Sequence, residues 1–222
     1  MRFRIDLKIF LFLILFYLTN QVQTYVVIIL FAIIHELGHL LSGLVLGMKP
    51  ESIELMPYGL SISFKLIPKD YNKQIWNGNL LSIKKIIVAL AGPLTNFIII
   101  MIVLNTKINI FSNLIIIYAN LLLMIFNLLP IYPLDGGRIL KQILHIVVGK
   151  KEAERYINNI SFIILILITF IGSIGIYYIK NISIFIIVIF LWGLYIKQDI
   201  IYKKKIKIYN LIEKTIEIKK NK

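Results

Sequence analysis

From residue 24 to residue 47 the chain is almost unbroken in apolar side chains. Comparable runs recur at roughly 86–104, 113–134, 160–179 and 182–196, with a shorter one at 8–19. The longer runs approach the ~20 residues with which a helix crosses the hydrocarbon core. A hydrophobic share of 59% in 222 residues, against roughly 45–50% in soluble domains, points the same way. The expected fold is an all-α polytopic membrane protein.

The charges then set the expected topology. Arg2, Arg4 and Lys8 precede the first run as in a secretory signal, but no small-x-small cleavage site follows, so an anchored helix is expected. The formal net charge of +14 would suit nucleic acid, yet its distribution does not ask for it. With six spans and an inside N-terminus, every Lys and Arg except Lys107 and Lys180 falls on the cytoplasmic side, which is the bias that orients membrane helices. Five spans would send the cationic stretch from Lys197 onward outside. About six transmembrane helices with both termini cytoplasmic are therefore expected. The chain has no cysteine, so any metal must be held by histidines and carboxylates. No internal repeat or linker sets off a second domain, which leaves a membrane domain over 1–200 with its core at 24–145, and a basic cytoplasmic tail over 201–222.

Within the second run stands His35-Glu36-Leu37-Gly38-His39, which holds two of the chain's three histidines. On a helix of 3.6 residues per turn, positions i and i+4 share a face, so both imidazoles can reach one ion. Glu36 lies beside them, placed to take a proton from a metal-activated water and deliver it to a leaving amine. An idle ionised acid at mid-membrane costs on the order of 2.5–3.5 kcal/mol, which argues against a merely structural set of polar residues. Gly38, Gly43 and Gly47 read as small residues that let helices approach closely.

Catalytic zinc generally takes three protein ligands and keeps one position open. His145 is the remaining histidine, but it follows Lys141 in a stretch expected to emerge toward the cytoplasm. The better candidate is Asp135, in Asn127-Leu-Leu-Pro130-Ile-Tyr-Pro133-Leu-Asp135-Gly136-Gly137-Arg138 at the end of the fourth run. Two prolines and two glycines so close together cannot continue a regular helix, and unwound backbone at membrane depth survives only against protein or a water-filled cavity. A broken fourth helix is expected there. At about 1.5 Å of rise per residue, His35 and His39 lie roughly 16–22 Å from the outer end of their span, in the inner half of the bilayer and compatible with Asp135. Arg138 serves either as an interfacial anchor or in the site. Asn127 donates hydrogen bonds either to a substrate carbonyl or oxyanion, or between helices.

The pairing of His35-Glu-Leu-Gly-His39 with Asn127-Leu-Leu-Pro-Ile-Tyr-Pro-Leu-Asp135-Gly-Gly resembles the site-2 proteases, the intramembrane zinc metalloproteases of peptidase family M50. Leu55-Met-Pro-Tyr-Gly59 and Ala91-Gly-Pro-Leu-Thr-Asn96 look like the subgroup that includes stage IV sporulation protein FB. The resemblance runs from about residue 24 to residue 145. It implies one zinc ion per chain on His35, His39 and Asp135, water activation by Glu36, and substrate holding by Asn127. It also implies a membrane-tethered protein substrate, such as a sigma-factor precursor or another regulator, and restraint by membrane-protein inhibitors. That subgroup typically adds a C-terminal nucleotide-sensing domain; this sequence ends soon after its last run, so adenine-nucleotide regulation is not expected.

Proteolysis requires an extended substrate, because helical hydrogen bonds hide the scissile carbonyls. Leu60-Ser-Ile-Ser-Phe-Lys-Leu66 alternates apolar and polar side chains, the pattern of a strand. It suggests either a small cytoplasmic β-hairpin whose edge pairs with substrate or an interfacial loop. The basic segment after Ile201 suits an anionic inner leaflet or is a solvated charge run. A membrane-anchored protease cutting outside the bilayer would need a large extramembrane domain, and the longest polar segment is roughly 48–85. A catalytically inactive scaffold that binds client helices is the remaining alternative, disfavoured by the complete residue set.

Overall fold

The computed structural model describes residues 2–5, 17, 22–56, 59–65, 75–106, 112–179 and 182–220. The expected span at 8–19 lies outside the described residues apart from Tyr17, as do Pro57, Tyr58, Leu66, Lys107 and Lys180. The chain forms two compact units, Met1–Leu128 and Leu129–Lys222.

The first unit contains three helices, α1 (Val22–Val45), α2 (Ile75–Asn105) and α3 (Asn113–Leu128). Its sheet has three strands, β1 (Arg2–Ile5), β2 (Lys49–Met56) and β3 (Gly59–Lys65), in the order β1-β2-β3. β1 runs parallel to β2, and β3 is antiparallel to β2, with a register shift between Pro50 and Ser52. α1 and α2 are antiparallel: Lys84 Nζ donates to Leu46 O at 3.0 Å, whereas Thr95, further along α2, lies against Gly38, earlier in α1. A Cβ at Gly38 would overlap Thr95 Oγ1, and one at Gly43 would overlap the Phe64 ring. Those two glycines are contact points, as expected. Gly47 is not. Its φ is +74° and a Cβ there would meet nothing within 4 Å. Met48 N–H donates to Gly43 O and Gly47 N–H to Leu44 O, both at 2.9 Å. Gly47 thus ends α1 in a Schellman turn, and its expected packing role is corrected to a backbone one.

The apolar core of this unit joins Val27, Phe31 and Ala32 of α1, Val103 of α2, and Ile116, Ala119 and Leu123 of α3. Outside it, large side chains such as Leu41, Leu94, Ile98 and Leu122 are exposed, a surface suited to lipid or to an apolar partner rather than to water. By length and composition, four described helical stretches could cross a membrane: Tyr25–Val45, Asn79–Asn105, Lys150–Tyr178 and Phe185–Thr215. Asn113–Leu128 is a shorter apolar helix, about 24 Å long.

The second unit opens with six non-helical residues, 129–134, and continues with α4 (Asp135–Val148), α5 (Lys150–Ile179) and α6 (Ile182–Lys220). Pro130 and Pro133 explain the lack of helix before Asp135. Gly137, in the first turn of α4, presses against the backbone of Ile131 and Tyr132, where a Cβ would overlap both. Gly149, at φ +83°, is the single residue separating α4 from α5. α5 and α6 pack through Trp192, whose Nε1 donates to Thr169 Oγ1 at 3.0 Å and whose ring meets Phe162 edge-on, centroids 6.2 Å apart. The basic stretch 201–220 continues α6 without interruption.

Candidate metal centre

α1 supplies the histidine pair. Its apolar run folds into an uninterrupted helix, so His35 and His39 fall one turn apart, 2% and 3% exposed. Their Nε2 atoms stand 3.2 Å apart, with the rings nearly perpendicular at 87°. Two nitrogens bound at zinc–nitrogen lengths on a tetrahedral ion would lie about 3.3 Å apart, so the pair has the spacing of two ligands of one ion. His39 Nδ1 is 2.6 Å from Val88 O on α2. Donation to that carbonyl puts the proton on Nδ1 and leaves Nε2 its lone pair, the usual outer support of a metal-binding imidazole. Gly92 N also approaches Nδ1, at 3.3 Å; a protonated Nδ1 cannot accept from it, and the shorter contact decides the tautomer.

Gly92 borders the space shared by the two imidazoles. A Cβ there would overlap His39 Nε2 and come within 2.6 Å of His35 Nε2, so the missing side chain leaves open the volume beside both nitrogens. In the sequence Gly92 stands out only within Ala91-Gly-Pro-Leu-Thr-Asn96. Val88 was missed because its contribution is a backbone carbonyl, which no side-chain pattern reveals. Glu36 is half-buried beside the pair.

Asp135 is the first residue of α4 and 4% exposed. Leu134, with extended ψ of 163°, precedes it as N-cap, and Arg138 N–H donates to Leu134 O at 2.8 Å. A carboxylate in a helix's first turn is favoured by the positive end of the helix dipole. Arg138 Nη1 lies 3.7 Å from its Oδ1. Asn127, near the end of α3, turns its amide back on its own helix, with Nδ2 donating to Leu123 O at 3.0 Å. His145 sits half-buried in the last turn of α4, about 15 Å along the helix from Asp135.

Side chains of metal-binding type come from both units, His35 and His39 from the first and Asp135 from the second, all three buried. Two imidazoles and one carboxylate are a donor set of catalytic zinc, with room left for a further ligand. The open volume beside Gly92 meets the same requirement from the protein side.

The profile of peptidase family M50 matches residues 105–171, a stretch that contains Asn127 and Asp135. A zinc metalloprotease of Methanocaldococcus jannaschii is 30% identical over 143 residues, covering 61% of this chain and 38% of that protein. The chain therefore matches well under half the length of this curated relative. The solved site-2 protease from the same organism superposes with a TM-score of 0.63 at 26% identity, over 87% of this chain and 88% of that one. Sequence, donor set and fold agree: the chain is a membrane protein similar to peptidase family M50 and to the site-2 protease structure.

Proposed function

We propose that the chain is an intramembrane zinc metalloprotease that hydrolyses peptide bonds of membrane-tethered proteins near the cytoplasmic face. The observation that carries this reading is the histidine pair itself, with Nε2 atoms 3.2 Å apart and the space beyond them kept open at Gly92. His35, His39 and Asp135 hold one zinc ion. Bound there, zinc supplies Lewis-acid polarisation and lowers the pKa of an attacking water to roughly 7. Glu36 takes the proton from that water and returns it to the departing amine nitrogen. Asn127 keeps its amide oxygen and second N–H for substrate. Arg138 holds the Asp135 carboxylate in place.

The substrate reading is finer. Among the described residues β3 is one of the two outer strands of its sheet, opposite β1, and an unwound substrate adds to its edge, which exposes the scissile carbonyl. Six spans with both termini cytoplasmic follow from the distribution of Lys and Arg, and a broken fourth helix from Pro130, Pro133, Gly136 and Gly137. A tethered sigma factor or comparable regulator is the substrate class we favour, held in check by membrane-protein inhibitors. Chelation tests the reading. Phenanthroline treatment of the detergent-purified chain abolishes cleavage of a tethered reporter and added zinc restores it; cleavage indifferent to the chelator contradicts the mechanism.

A further inference from the structure

Inside the second unit a buried charge cluster is built around Glu154, a residue with no part in the proposed chemistry. Glu154 is 7% exposed, and its Oε1 accepts from Lys141 Nζ of α4 at 2.7 Å and from Lys205 Nζ of α6 at 3.0 Å. One carboxylate on α5 thus ties together both neighbouring helices. Lys141 also stands over the Tyr132 ring, 4.3 Å from its centroid. Two turns beyond Glu154 on the same helix face, Ser161, 1% exposed, accepts a hydrogen bond at 3.1 Å from Tyr132 N–H. Tyr132 belongs to the non-helical segment that leads into Asp135. It is therefore held twice, through its backbone by α5 and through its ring by a lysine that Glu154 holds.

Apolar side chains would pack three helices at least as well, since burying charges costs desolvation that pairing only offsets. What an ionic and hydroxyl cluster adds is direction: it fixes where one short segment lies. We propose that Glu154, Lys141 and Ser161 are positioning residues that set the place of the Asp135 carboxylate, and through it the affinity for zinc. This rests on the reading of Asp135 as a zinc ligand. Partners that orient a metal ligand typically contribute about 10–100-fold in metal affinity.

The test measures zinc affinity, by competition with a chromogenic chelator, alongside kcat and KM on a tethered reporter, using the full chain in detergent. Ser161→Ala and Glu154→Gln are expected to weaken zinc binding about 10–100-fold and to lower kcat at saturating substrate while KM stays within about two-fold. Ser161→Thr keeps the hydroxyl and restores both. Trp192→Phe removes a hydrogen bond from the same pair of long helices, so it controls for general loosening and is expected to match the parent in zinc affinity. If Glu154→Gln fails to fold, Lys141→Met frees the Tyr132 ring while leaving Glu154 paired with Lys205. Parental zinc affinity in Ser161→Ala and Glu154→Gln overturns the proposal while leaving the protease reading intact, as does an equal loss in Trp192→Phe. A parent chain that binds no zinc overturns both.

Discussion

At Gly92 a single hydrogen stands where any side chain would overlap His39 Nε2 and crowd His35 Nε2. Gly92→Ala is therefore expected to abolish zinc binding while the chain still inserts, as read by metal content after purification. Full zinc occupancy in that variant would show that the ion sits elsewhere. The proposed ligands could be singled out in the sequence, because helical spacing alone brings residues 35 and 39 to one face, and because a carboxylate among prolines and glycines at membrane depth demands an explanation. Their supports were not. Val88 acts through a carbonyl, and Glu154 and Ser161 act across contacts that only the folded chain reveals.

The elements show the same division between pattern and packing. Apolar runs fix helix cores within a few residues, but the polar beginning of α5 and the basic end of α6 are helical as well, and hydropathy alone did not extend those helices so far. Glycines divide by backbone angle. At Gly47, where φ is +74°, alanine is expected to lower stability by about 1 kcal/mol. At Gly193, within α6 and with open space around its Cα, alanine is expected to be neutral or stabilising by up to about 1 kcal/mol. Thermal unfolding of the two variants in one detergent checks the contrast; equal shifts would contradict the Schellman assignment. For β3, proline substituted within 60–65 is expected to reduce reporter cleavage with zinc content unchanged, and unaltered turnover would remove the edge-pairing step.

For the whole molecule, membrane residence was readable from composition, whereas six spans are an expectation drawn from charge placement, set against four described helices long and apolar enough to cross a membrane. The first of those spans lies outside the described residues apart from Tyr17. Because the chain has no cysteine, one introduced thiol reports topology cleanly. Lys214→Cys is expected to react with a membrane-impermeant maleimide only after permeabilisation, and labelling in intact cells would place the C-terminal segment outside. The proposed mechanism places Glu36, beside a zinc-binding histidine pair, as the base that drives hydrolysis within the membrane. It is tested most directly by measuring bound zinc and reporter cleavage together in the parent and in Glu36→Gln. The variant should retain one zinc per chain and lose at least about 100-fold in cleavage; undiminished cleavage at full zinc occupancy would contradict the mechanism.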